Sequence, residues 1–194
     1  MYQSFDLQLP EGYENLNPNI INRVKSDLKN AKQFNYLFLG LVGAGKTYLA
    51  KIIYKQFYRL NHLENSSSFL LARDVYQEYL AVLNSNFVDK STAIRKRLNC
   101  FKDSFSVLDD LGAETPNTDA SKSYMADIIE RRYEYWQENP KYIAGSIITS
   151  NLKTGQEIGE MYGHRLLDRL HEMYTIMIFT NHSFRNKKAE IIKG

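Results

Sequence analysis

The sequence predicts an α/β fold in which five parallel strands carry helices on both faces of the sheet. Three observations predict it. Short apolar runs at 35–40, 68–72, 105–108, 144–149 and 175–179 alternate with helix-patterned segments. Such alternation builds strand–helix–strand units, which close into a parallel sheet. The second observation is Gly40-Leu41-Val42-Gly43-Ala44-Gly45-Lys46-Thr47, a complete GxxxxGKT phosphate-binding loop directly after the first run. The third is Ser106-Val107-Leu108-Asp109-Asp110, an apolar strand that ends in two acids. Ligands of such sheets bind outside the carboxyl ends of the strands.

Taken in order, residues 1–18 read as an extended lead-in closed by Asn17-Pro18, followed by a helix over about 20–32. Ile20, Ile21, Val24 and Leu28 fall near one face of that helix. The first strand covers 35–40 around the apolar run Tyr36-Leu37-Phe38-Leu39, and a long helix runs from the phosphate loop to about Leu60. Ser68-Phe69-Leu70-Leu71-Ala72 is the second strand, with helical segments at about 74–84 and 89–101 after it. Phe105–Leu108 is the third strand. A helix over 119–138 carries Met125, Ile128, Ile129, Tyr133 and Trp136 at core spacing. The fourth strand starts near Ala144 and ends at Thr149, a helix covers about 163–171, and Thr175–Phe179 is the fifth strand.

Composition bounds the rest. A chain of 194 residues, 43% hydrophobic, is long enough to bury one sizeable core. No stretch approaches the ~20 apolar residues of a membrane span. The polar, acidic start has neither the basic nor the apolar block of a signal peptide. A single cysteine, Cys100, excludes an internal disulfide and a cysteine metal cluster, so a reduced cytoplasmic setting is the default. The net charge of +3 is compatible with nucleic acid without arguing for it.

The loop glycines, Gly40, Gly43 and Gly45, let the backbone wrap phosphates with its N–H groups inward, and the following helix adds its dipole. Ala44 and Tyr48 flank the same turn. Lys46 reaches the β- and γ-phosphates, and the Thr47 hydroxyl ligates Mg²⁺. A phosphate loop alone does not separate kinases, ATPases and GTPases. The paired acids narrow the choice: Asp109 holds Mg²⁺, and Asp110 polarises the attacking water as general base. Thr149-Ser150-Asn151 closes the fourth strand with polar side chains, and Asn151 is placed to orient that water or to contact the γ-phosphate.

These stretches together resemble the AAA+ ATPases, specifically the bacterial helicase-loader group typified by DnaC and DnaI, with the related transposition helper IstB. GKTYLA is similar to that group's GKTHLA, VLDDLGAE to its IDDLGAE, and IITSNL to the sensor 1 strand. GHRLLDRL resembles the arginine-finger segment, and NHSFR the closing NWxSYR. The resemblance spans about Phe5 to Arg185. It implies an AAA+ domain over 19–194 with no separate helical lid, and cytoplasmic ATP hydrolysis with Mg²⁺. It further implies Walker A roles for Lys46 and Thr47, Walker B for Asp109, catalytic base for Asp110 and sensor 1 for Asn151. Arg169 matches the finger that one subunit inserts into its neighbour's site, which requires head-to-tail assembly. Arg185 matches the sensor 2 arginine, and Arg165 is a weaker match nearby. Little precedes the ATPase core, which moves any helicase contact to residues 1–18 or to a core surface.

In this group an extra helix between strands two and three lines a path for single-stranded DNA. Here about 30 residues lie between them, more than a plain crossover requires. Residues 90–102 hold five basic side chains, among them Lys90, Arg95, Lys96 and Arg97, and no acid. They would neutralise phosphates while Phe87 and Phe101 stack on bases, or form a merely solvated basic face. Four functions remain open. The first is an ATP-dependent replication factor that assembles on single-stranded DNA and helps load a replicative helicase. The others are an IstB-like helper of a DNA transposase, a small P-loop kinase, and an adaptor that binds ATP without hydrolysis.

Overall fold

The computed structural model describes residues 5–10, 16–30, 34–61, 67–84, 92–94, 96, 99, 101, 105–114, 117–139 and 145–180. The elements are α1 (Pro18–Lys29), β1 (Phe34–Gly40), α2 (Lys46–Asn61), β2 (Ser67–Leu71) and α3 (Ala72–Asn84), then β3 (Phe105–Leu111), α4 (Asp119–Glu138), β4 (Gly145–Ser150), α5 (Gly155–Tyr162), α6 (His164–Met173) and β5 (Thr175–Phe179). The predicted five-stranded parallel sheet is present, in the order β2-β3-β4-β1-β5.

Two departures from the predicted elements matter. The segment after β4 holds two helices, not one, with Gly163 between them at φ +97°. Strand β3 does not stop at Leu108 but continues through both acids to Leu111, and its register with β4 shifts between Leu108 and Leu111.

Strand β1 lies inside the sheet, between β4 and β5, and every residue in it is buried, as expected of a parallel strand covered on both faces. Alternate side chains feed two cores. Tyr36 and Phe38 join Val24 and Leu28 of α1, Leu49, Ile53 and Phe57 of α2, and Phe105 and Val107 of β3. Leu37 and Leu39 join Val75 of α3, Met125, Ile128 and Ile129 of α4, and Leu166 and Leu170 of α6. Tyr36 also donates from its hydroxyl to Asp27 of α1 at 3.0 Å, and Arg23 pairs with the same oxygen at 2.8 Å. Leu7 and Leu16 pack into the first core, and Gln8 exchanges backbone and side-chain bonds with Gln56 of α2. These contacts fasten the segment before α1 to the helix that follows the phosphate loop.

Arg132 of α4 is fully buried in the layer against the sheet. It donates to the Phe101 carbonyl at 3.2 Å and the Gly145 carbonyl at 2.6 Å, with its guanidinium 5.5 Å from the centre of the Phe101 ring. Phe101 is itself fully buried. This corrects the expectation that Phe101 stacks on nucleic-acid bases: the ring is committed to the core and to Arg132. No described helix is long and apolar enough to cross a membrane.

Candidate nucleotide-hydrolysis site

The loop between β1 and α2 has its special conformation because glycine stands where other residues would be strained. Gly43 and Gly45 have φ of +79° and +96°, the left-handed region that costs a side-chain-bearing residue about 1–2 kcal/mol. A Cβ on Gly40 would lie 2.1 Å from the Phe179 carbonyl oxygen of β5, so only glycine lets β1 leave the sheet so close to β5. Ala44 is buried under the turn, and Tyr48 is half-buried against the first core. The loop opens at the carboxyl end of β1, with the N-terminus of α2 behind it.

Lys46 is 4% exposed, and its ammonium donates to the Gly40 and Leu41 carbonyls at 2.8 Å each and to Asn151 Oδ1 at 3.0 Å. Asn151 in turn points its Nδ2 at Asp110 Oδ1, 3.4 Å away. A side chain at the end of β4 thus bridges the loop lysine to the second acid of β3. Only the sheet order, which seats β4 between β1 and β3, allows this.

Asp109 and Asp110 lie where β3 bulges out of register with β4, between Leu108 and Leu111. Asp110 has φ +59°, the sole side-chain-bearing residue with positive φ among the described residues. The bulge removes the strict alternation of a strand, and the left-handed turn aims the second carboxylate toward Asn151. Such backbone conformations cost about 1–3 kcal/mol and cluster at functional sites. The neighbouring hydroxyl of Thr149 secures both acids. It donates to Asp109 Oδ1 at 2.6 Å and accepts the Asp110 backbone N–H at 3.0 Å.

Asp109 is 2% exposed. Burial pushes its carboxyl above the usual range; the Thr149 and Thr47 hydroxyls and the charge of Lys51 oppose that rise, while Asp110 adds to it. Thr47 follows Lys46 at the start of α2, on the side of the sheet end where Asp109 lies. A hydroxyl and a buried, strained-upward carboxylate form a hard-oxygen pair, the donor type Mg²⁺ takes together with substrate phosphates. The residues present fit that ion: Thr47 and Asp109 would hold it, and it would neutralise phosphate charge.

The turn after the acids has its own anchor. Glu114 is 2% exposed and accepts the Gly112 N–H at 3.1 Å and the Tyr162 hydroxyl on both oxygens, at 2.9 and 3.0 Å. Tyr162 is the last residue of α5, and its hydroxyl is pushed far up by burial and by the Glu114 carboxylate. Sequence reasoning assigned no role to Thr149, Glu114 or Tyr162. The first two stand within the IITSNL and VLDDLGAE stretches, so a signal existed for them. Nothing local marks Tyr162, 48 residues from Glu114.

Comparisons with known proteins follow the same outline. No family profile matches the chain, and no curated protein matches it. Among solved structures, the DnaC helicase loader superposes with a TM-score of 0.69 at 19% identity, covering 90% of this chain and 96% of that one. DnaA from Aquifex aeolicus with bound AMPPCP gives 0.59 at 16% identity, covering 92% of this chain and 50% of that one. The replication initiator DnaA bound to AMPPCP and single-stranded DNA gives 0.57 at 20% identity, covering 92% and 50%. The chain has the AAA+ fold. It spans about half the length of each of the two DnaA chains.

Within the AAA+ frame the arginines divide. Arg169, on α6, lies 2.7 Å from Glu130 of α4 and 5.3 Å from the centre of the Tyr133 ring. Arg165, one turn earlier, is largely exposed and reaches Glu130 at 3.5 Å. Tyr133, predicted as part of the core stripe of α4, is only partly buried and serves Arg169. Residues 92–94 and Lys96 are helical, and Lys96 is exposed. Lys90, Arg95, Arg97, Phe87 and Arg185 lie outside the described residues.

Proposed function

We propose that the chain is an ATPase that serves DNA replication as a helicase-loader-like factor, working as a head-to-tail assembly on single-stranded DNA. The observation that carries the hydrolytic part is the convergence of Lys46, Thr47, Asp109, Asp110 and Asn151 at one end of the sheet. The loop amides and Lys46 would take the phosphates, with Lys46 exchanging its carbonyl partners for phosphate oxygens. Asp110, aimed outward by its bulge, would accept a proton from a water positioned by Asn151. As that water's oxygen bonds to the γ-phosphorus, the bond to the β-phosphate oxygen breaks and ADP leaves with inorganic phosphate. Arg169 of a second copy would complete the charge stabilisation, so isolated chains would turn over slowly.

The replication role is supported by the likeness to the DnaC helicase loader, which covers both chains almost end to end. The single-stranded DNA partner is supported by the likeness to DnaA bound to that ligand and by the basic segment around Lys96. An IstB-like transposase helper would use the same site.

One experiment tests both levels. Tagged Asp110→Asn protein should bind ATP with parental affinity while hydrolysis falls about 10²–10⁴-fold, the usual contribution of a general base. Its ATP-dependent partners from source-cell lysate are then identified by mass spectrometry. A replicative helicase supports the loader role, whereas a transposase moves the protein to the other branch. Parental hydrolysis by the variant overturns the catalytic assignment.

A further inference from the structure

Arg169 is held from two directions by α4. Its Nη1 atom is buried and lies 2.7 Å from Glu130 Oε2. The Nη1 hydrogens do not align with the carboxylate, so the contact is a close ion pair rather than a hydrogen bond. The guanidinium carbon stands 5.3 Å from the Tyr133 ring centre. That ring is itself fixed: its hydroxyl donates to Glu172 Oε2 at 2.5 Å and accepts from Gln137 Nε2 at 2.6 Å. Among the described residues Nε and Nη2 of Arg169 have no partner, and neither is buried. The inner nitrogen is committed, and the outer edge of a side chain that is 18% exposed is unpaired among the described residues. That outer edge, two parallel N–H groups, is the one that matches a pair of phosphate oxygens.

We propose that Glu130 is the positioning residue for Arg169, clamping its guanidinium on Tyr133 so that the Nε–Nη2 edge faces a triphosphate bound by a second copy of this chain. The proposal rests on the head-to-tail reading given above. Preorganisation is the physical gain. A free arginine has many rotamers, and a finger already turned outward gives up less freedom when it meets phosphate. A carboxylate that only neutralised the finger would cover its outer edge, and removing it would speed hydrolysis. The unpaired edge favours the opposite sign.

The test is ATP hydrolysis across a range of protein concentrations for the parental chain, Arg169→Ala, Glu130→Ala, Glu130→Gln and the Arg169→Ala/Glu130→Ala double variant. Glu130→Ala should lower the assembly-dependent kcat about 10- to 100-fold, the penalty of a misplaced catalytic group, with the chain's own affinity for ATP unchanged. Glu130→Gln keeps volume and polarity and should recover part of the rate, and its melting temperature controls for folding. The double variant should lose no more than Arg169→Ala alone, because the other ion pair of Glu130, with the largely exposed Arg165, does not position the finger. An unchanged or faster Glu130→Ala, or additive losses in the double variant, would overturn the proposal. Arg169→Ala with full concentration-dependent activity would remove the head-to-tail reading itself, and this inference with it.

Discussion

Asp109 shows at the scale of one residue how function and stability oppose each other. Its carboxyl is raised in the fold by burial, so the folded chain favours the protonated form more than the unfolded chain does. A group of that kind adds stability below its unfolded pKa and loses it as pH rises through the folded value. Ionising this carboxyl at neutral pH is a net cost to the fold, which a bound cation would offset. Asp109→Asn should therefore raise Tm at pH 7 by ~2–4 °C, the response of a domain this size to about 1 kcal/mol, and abolish Mg²⁺-dependent hydrolysis. The gain should vanish below the unfolded carboxyl's pKa. A lower Tm at pH 7, measured calorimetrically without nucleotide, would contradict this account. Asp110 differs because its cost is in the backbone, and its neighbour Thr149 holds the turn from which it projects.

At the scale of elements, the question is what holds the end of β3 in that turn. Leu108 and Leu111 both pair with β4, and the acids between them are carried out of register. Glu114 then fastens the chain to α5 through Tyr162. Tyr162→Phe removes the hydroxyl alone and leaves a nearly inaccessible carboxylate held by the Gly112 N–H. The expected loss is about 1.5–3 kcal/mol, the usual range for a hydrogen bond to a charged group, together with a reduced kcat and unchanged ATP affinity. Unfolding in denaturant at parental midpoint would show that this bond does not secure the turn. The same elements explain uneven legibility. The phosphate loop and the paired acids are readable because each is contiguous and carried by residue types with few other uses. The bulge between the acids is not, since an apolar strand ending in Asp109-Asp110 looks the same with or without it. Helix α5 is poorly legible for a related reason: Gly155 and Gly159 are weak helix formers, and Thr154 caps the helix by accepting the Glu157 N–H.

At the scale of the whole molecule, charge is arranged rather than abundant. Arg132 is spent inside the core on carbonyls, Arg165 and Arg169 share Glu130, and Lys46 is buried in the loop. The remaining basic concentration, 90–102, lies in the long crossover between β2 and β3. If that segment tracks a nucleic-acid backbone, changing Arg95, Lys96 and Arg97 to Glu should make the salt dependence of single-stranded DNA binding shallower by about 2 in log–log slope. A polarisation titration with unchanged affinity and slope would exclude the segment. Phe101, fully buried, would contribute no stacking ring to such binding.

The sequence by itself determined the sheet, the phosphate loop and which polar side chains close its strands, because strand periodicity and glycine spacing are local and a chain records them in adjacent letters. Only the tertiary structure decided what those side chains face. Lys46 meets Asn151 across 105 residues, and Thr149 joins both acids from about 40 residues away. Arg169 finds Glu130 on another helix, and Phe101 turns inward beneath Arg132. Each of those meetings depends on the order in which strands pair and on which helix covers which face. No window of sequence contains both partners, so packing alone could place them.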